Sequence, residues 1–327
     1  TKTNKGNNMN NFKKIGLTAL AGSLVATSVA YAGALEATGS AEMKMTNNSQ
    51  SAAGKTIGMG NSVNFAGSGE TDGGLNVSLA FELDQGASDG TAGVYDNHSV
   101  SVGNDSLGTL TVHGHGGSNS AAALDTTAAG DLWDNTLINT TSALSTRKAP
   151  IASTSGDNLM VYSLPTLVDG LAVTGSYVAA NTTGTGSTAF GATYTGIEGL
   201  SLSYGQGSSD DVKDIAGDQT IMKASYAYGP ITVAASNNDF DHTTASNDQE
   251  VSSVSLSYTV SDQISVSYGE ETIDRSGSTS DIEVTGVSIS YTSGGMTASF
   301  ATVEAENVDH TAGLNKEVWK IGLSFAF

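Results

Sequence analysis

His113 and His115 are the first side chains in this sequence whose spacing could do chemistry. On a strand, i and i+2 share a face, so both imidazoles could approach one metal ion. The chain has no Cys, and no third ligand follows at a defined spacing, so the pair reads as two strand-end side chains. His98, His242 and His310 are scattered and read as solvent-facing. The acids Asp210-Asp211, Asp239 with Asp241, Glu270-Glu271 and Glu304 with Glu306 read as external acids that could offer oxygens to Ca2+. None sits in an EF-hand loop or a Gly-rich nonapeptide repeat. Weak, dispersed Ca2+ contacts are the most they imply, and no cofactor is expected. Gly114-His-Gly116-Gly117 and Gly184-Thr-Gly186 lack the Lys-Ser/Thr that cradles phosphate, and the esterase elbow G-x-S-x-G is missing. No Ser, His and acid stand together, so the chain does not read as an enzyme.

The composition narrows the class further. Acids outnumber bases 33 to 13 in 327 residues, which argues against a nucleic-acid partner, since phosphate binding needs clustered Lys and Arg. Hydrophobic residues make up 38%, little for a soluble core. A barrel with lipid outside and water inside needs only every second strand residue to be apolar. Residues 1–8 precede Met9 and read as extraneous. From Met9 to Ala32, Lys13-Lys14, the apolar run Ile15 to Val29 and the small-x-small end Ala30-Tyr31-Ala32 spell a signal peptide cut before Gly33. The apolar run is shorter than the ~20 residues of a spanning helix. Loss of Lys2, Lys5, Lys13 and Lys14 leaves nine bases against 33 acids.

From Gly33 the apolar period is two. Val254, Leu256, Tyr258 and Val260 alternate with hydroxyl residues, as do Ile264, Val266 and Tyr268, and Val287, Ile289 and Tyr291. Trp319, Ile321, Leu323, Phe325 and Phe327 alternate with small or polar residues. About sixteen such runs can be drawn, among them 218–228, 230–237, 262–270 and 295–304, and they predict a closed, all-β, transmembrane antiparallel barrel over 33–327. Connections after even strands are short, such as Gly229-Pro230 and Ser261-Asp262. Those after odd strands are longer and acidic, as in a barrel with short turns on one side and long loops on the other. Tyr204, Tyr228, Tyr258, Tyr291 and Phe327 are expected near strand ends as an interfacial girdle.

The chain resembles the general bacterial porin family of Gram-negative outer membranes, in its alphaproteobacterial style. The resemblance rests on the signal peptide leading into Gly33-Ala-Leu-Glu36, on Asn158-Leu-Met-Val-Tyr162-Ser-Leu-Pro165 with Asp169-Gly170-Leu171, on the long strandless stretch 115–156, and on terminal Phe327. It implies an outer-membrane homotrimer in contact with lipid and lipopolysaccharide. It also implies a water-filled channel for passive diffusion of small hydrophilic solutes and ions, with Phe327 as a signal to the barrel-assembly machinery. The third loop, 115–156, would fold inward as a constriction carrying Asp125, Asp131, Asp134, Arg147 and Lys148. Alternation puts Glu42, Lys44, Glu82, Asp84, Lys223 and Lys320 on the pore wall, with Glu36 and Lys55 as further members. Acids dominate, so a preference for cations is expected. The other reading is a non-conducting surface barrel or adhesin whose external loops bind a partner.

Overall fold

The computed structural model describes residues 34–48, 55–84, 96–134, 155–179, 186–209 and 216–327. The expected signal peptide and the residues before it lie outside these. Sixteen antiparallel strands close one barrel. They are β1 (Ala34–Asn48), β2 (Lys55–Glu70), β3 (Asn76–Asp84), β4 (Asn97–Asn104), β5 (Gly108–His115), β6 (Leu159–Ser163), β7 (Leu171–Val178) and β8 (Ser187–Tyr194). Then come β9 (Leu200–Ser209), β10 (Gly217–Tyr228), β11 (Ile231–His242), β12 (Gln249–Thr259), β13 (Ile264–Arg275), β14 (Ile282–Ser293), β15 (Met296–Glu306) and β16 (Lys316–Ala326). Among the described residues no helix is long and apolar enough to cross a membrane, so any crossing is by strands.

The two chain ends close the cylinder. Ser40 stands opposite Ala326 and Asn48 opposite Val318. One rung further, Phe327 N donates to Gly39 O at 3.0 Å and Gly39 N to Phe327 O at 2.6 Å. Several even-to-odd connections are tight because their glycines reach positive φ. Gly229, at +57°, opens the two-residue turn after β10, and Gly294, at +61°, the one after β14. That is the first position of a type II′ hairpin, which Gly fills without a Cβ clash.

Outside, over most of the strand length, the wall is apolar: Leu79, Val100, Val112, Val233, Val254, Leu256, Val287, Ile289, Phe300 and Ile321 are all exposed. Inside, hydroxyls pair across strands, as in Ser101 with Thr111 at 2.8 Å, Thr193 with Ser203 at 3.0 Å and Ser265 with Ser290 at 2.7 Å. The inner wall is therefore polar and its hydrogen bonds are largely satisfied by the next strand.

At the long-loop end of β12–β16 the faces exchange roles. Val251, Ile273, Ile282, Val284, Val303, Ala305 and Val318 now point inward and are buried. Their neighbours Glu250, Asp274, Glu283, Glu304, Glu306 and Glu317 point outward and are exposed. The acids expected in loops at Asp239, Asp241, Glu271 and Glu306 are thus strand residues, continuous with Glu270 and Glu304. The expected strands stopped too early at 237, 270 and 304, because this switch breaks the apolar alternation while the backbone ladder continues. Lys55 also departs from expectation: it lies on the outer face, 5.9 Å over the Trp319 ring, not in the lumen. Tyr204 lies mid-strand in β9, whereas Tyr228, Tyr258 and Tyr291 sit at the short-turn end.

Candidate functional site

After β5 the chain turns into the barrel. Gly117 and Ser118 pair with Gly156 and Ser155 in a two-residue ladder. Beside it His115 Nδ1 lies 2.6 Å from Asp157 Oδ1. These contacts tie the chain entering the segment to the chain leaving it. Between them, residues 119–134 are described, and they lie against the inner wall of β7 to β14.

Local chemistry shapes this segment before the wall holds it. Asn119 Oδ1 accepts from Ala121 N at 3.0 Å and Ala122 N at 2.8 Å, and so fixes the chain entering the turn Ala122–Leu124. Thr127 and Asp131 bond reciprocally: Thr127 N donates to Asp131 Oδ1 at 2.9 Å, and Asp131 N to Thr127 Oγ1 at 2.8 Å. Gly130, at φ +87°, lets the chain reverse between them.

The wall then reads mostly the loop's backbone. Ser120 N donates to Ser176 Oγ at 2.9 Å, Ala128 N to Ser236 Oγ at 2.8 Å and Ala129 N to Ser253 Oγ at 3.0 Å. Ser255 Oγ donates to Ala128 O at 2.7 Å, Lys223 Nζ to Thr126 O at 2.7 Å, and Asn238 Nδ2 to Asp125 O. Glu271, 2% exposed, accepts from Thr127 Oγ1 with one oxygen and from Trp133 N at 2.9 Å with the other. Removing that carboxylate would strand buried donors, at about 1–3 kcal/mol each. Glycines give the loop its seat. A Cβ on Gly286 would lie 2.6 Å from Leu132 Cδ2, and one on Gly269 would lie 2.6 Å from Ala129 Cβ.

Facing this padded sector, β1 and β16 leave a charged patch on the open lumen. Glu42 Oε1 accepts from Lys320 Nζ at 2.9 Å, and its other oxygen is 3.5 Å from Lys44 Nζ. Lys44 stands opposite Gly58 on β2 and opposite Gly322 on β16, whose missing side chains leave it room. Glu82 and Asp84 alternate with outward Leu79 and Phe81 on β3 and face inward.

Apart from Glu82 and Asp84, the anticipated charges that the structure brings together form two clusters. Glu42, Lys44 and Lys320 form one cluster. Asp125, Asp131 and Lys223 form another at the loop-wall seam, with Lys223 reaching the loop backbone from below. Burial, followed by the Asp131 carboxylate, pushes Asp125 up to about 6, against the pull of Lys223. Asp134 ends the turn Leu132–Asp134. Arg147 and Lys148 lie outside the described residues. Among the described residues no group of three His, Asp or Glu could hold a metal ion.

A family model described as Gram-negative porin matches residues 16–311. The chain belongs to the Gram-negative porin family. As a porin it is an outer-membrane channel protein of a Gram-negative bacterium, built for passive diffusion. Solved porins share the fold at low identity. A mutant Rh. blastica porin is 17% identical with a TM-score of 0.66, covering 90% of this chain and 100% of its own. An anion-selective porin from Comamonas acidovorans is 15% identical with a TM-score of 0.66, covering 90% of this chain and 100% of its own. OmpT of Vibrio cholerae, in trimer form, is 15% identical with a TM-score of 0.65, covering 91% of this chain and 100% of its own. No curated protein matches the sequence. Sequence reasoning missed Glu271, although it continues the inward i+2 series Ser265, Ser267, Gly269. That series was the available signal.

Proposed function

We propose that this porin is a homotrimeric, water-filled channel for small hydrophilic solutes and ions, constricted by the infolded loop and preferring cations. The observation that carries the reading is the placement of 119–134 along one inner wall, opposite the Glu42–Lys44–Lys320 patch. Among the described inward positions of the wall and this loop, acids such as Glu36, Glu42, Glu82, Asp84, Asp125, Asp131 and Glu271 outnumber the bases Lys44, Lys223, Arg275, Lys316 and Lys320. Rings of lining charge bias permeation toward the opposite sign. Asp134 ends the described part of the loop and belongs to the same assignment.

Trimer formation is supported by an asymmetry of the outer face. Among the described residues β1–β5 and β15–β16 carry no tyrosine, whereas β6–β14 carry Tyr162, Tyr177, Tyr194, Tyr204, Tyr226, Tyr228, Tyr258, Tyr268 and Tyr291. Tyr belongs at a lipid-water boundary, so the face lacking it, with Met43, Ile57, Met59 and stacked Phe65 and Phe81, suits a protein neighbour. Residues 9–32 serve as the export signal, and Phe327 as the mark read by the barrel-assembly machinery. The outward acids of β10–β16 are where weak Ca2+ bridging to lipopolysaccharide would fall.

Reversal potential in a planar bilayer under a tenfold KCl gradient tests the reading. A dilute side that settles positive is expected, and a negative one overturns the cation preference. A folded oligomer with zero conductance would overturn the channel itself and favour a non-conducting adhesin.

A further inference from the structure

The apolar cluster formed where the strand faces exchange roles has a floor, a wall and a roof. The wall is Val251, Ile273, Ile282, Val284, Val303 and Ala305. Leu132 and Trp133, at the end of the described constriction loop, pack on it from within the barrel. From outside, the turn 307–315 between β15 and β16 drives Val308, 2% exposed, into the same cluster, and Leu314 packs beside it.

That turn is held in a costly shape. Asn307, Asp309 and His310 have φ of +52°, +62° and +54°, the left-handed region that non-glycine residues avoid. Asn, Asp and His are the residue types that tolerate it best. The shape persists because it is tied on several sides. Val308 N donates to Leu314 O at 2.8 Å, and Gly313 N to Asn307 Oδ1 at 3.0 Å. Asn307 Nδ2 donates to Asp281 O at 3.1 Å, and His310 Nδ1 lies 2.9 Å from Ser280 O, so the turn is fastened to the neighbouring external turn. A turn that merely joined two strands would not need this.

We infer that the external turn 307–315 positions the pore constriction, with Val308 and Leu314 as positioning residues acting through Leu132 and Trp133. Glu271 holds the loop end from the wall by hydrogen bonds, and the turn holds the same end from above by packing. The two restraints differ in chemistry and converge on consecutive residues. A partner that grips or lifts the turn from outside therefore alters the constriction without entering the pore. This inference rests on reading 119–134 as the constriction.

The test is single-channel recording of the full-length reconstituted oligomer carrying Leu314→Ala, Val308→Ala or Glu271→Ala. Each turn variant should make brief closures about tenfold more frequent, the factor given by ~1.4 kcal/mol of lost anchoring. Leu314→Met, which refills the space, should restore the wild-type record. A merely structural role would lower the temperature at which the oligomer dissociates and leave closures and conductance untouched, and that result in both turn variants overturns the inference. Val308→Ala serves where Leu314→Ala does not assemble. If Glu271→Ala changes the record while the turn variants do not, the turn is excluded and the constriction stands. If Glu271→Ala is also silent, the reading of the loop as constriction falls, and the inference with it.

Discussion

The inner wall of this porin has two sectors built from the same alternating strands for different tasks. From β7 to β14 the inward positions that carry the loop are mostly Ser, Gly and Asn, with Lys223 and Glu271 turned to the loop and apolar residues such as Ile221 and Val284 packed beside them. Across the lumen, on β16 and β1, three inward positions carry ions that bond one another, Glu42 between Lys44 and Lys320. The first sector spends its polar groups on structure. The second leaves its charge to the water. Changes in the first should thus alter whether the channel stays open, and changes in the second should alter what passes.

The largest effect is expected from Glu271→Ala, which strands Thr127 Oγ1 and Trp133 N at once, roughly 2–6 kcal/mol at about 1–3 kcal/mol for each buried donor. It should produce frequent closures in single-channel records and earlier heat dissociation of the oligomer. Gly286→Val comes next. Its Cβ would collide with Leu132 and push the loop toward the lumen, with overpacking of about 1–3 kcal/mol, and conductance should fall several-fold. In the opposite sector, Glu42→Gln should leave conductance and heat stability near wild type while moving the reversal potential toward anions. Lys320→Gln should move it the other way. A change of selectivity from Gly286→Val as large as that from Glu42→Gln would erase the distinction between the sectors.

The smallest expected effect is a pH step. Asp125 is raised to about 6, so it is mostly neutral at pH 5 and mostly ionised at pH 7. Raising the pH through this window adds negative charge at the loop, and cation preference should increase. Asp125→Asn should flatten the step. The same shift sets a stability sign: an acid whose folded pKa is raised binds more protons folded than unfolded between about pH 4 and 6. Its contribution to stability is therefore present at low pH and declines as pH rises through 6.

The barrel itself was legible in the sequence, because period-two alternation is the direct imprint of a two-faced strand. Strands such as β10, expected at 218–228 and observed at Gly217–Tyr228, needed nothing beyond that pattern. Where one strand serves two environments, the imprint fails. On β13 the outward apolar series Val266, Tyr268 gives way to inward Ile273, and the reading stopped at 270, losing Glu271 to a supposed loop. The loop's seat was harder still. Gly269, Gly286, Ser236 and Ser253 look like ordinary small strand residues, and only the fold brings them beneath a backbone a hundred or more residues away. Lys55 was misassigned for a simpler reason: it opens its strand, where one residue of uncertainty reverses the face.

The exchange of faces near the tops of β12–β16 acts like the load line on a hull. Sinking the barrel by one rung would carry Glu250, Asp274, Glu283 and Glu317 toward hydrocarbon. Lifting it by one would raise Val254, Val287 and Ile321 toward water. Both moves are uphill, so the protein floats at a single draught set by its own strands. Any neighbour riding at the same depth then meets it rung for rung.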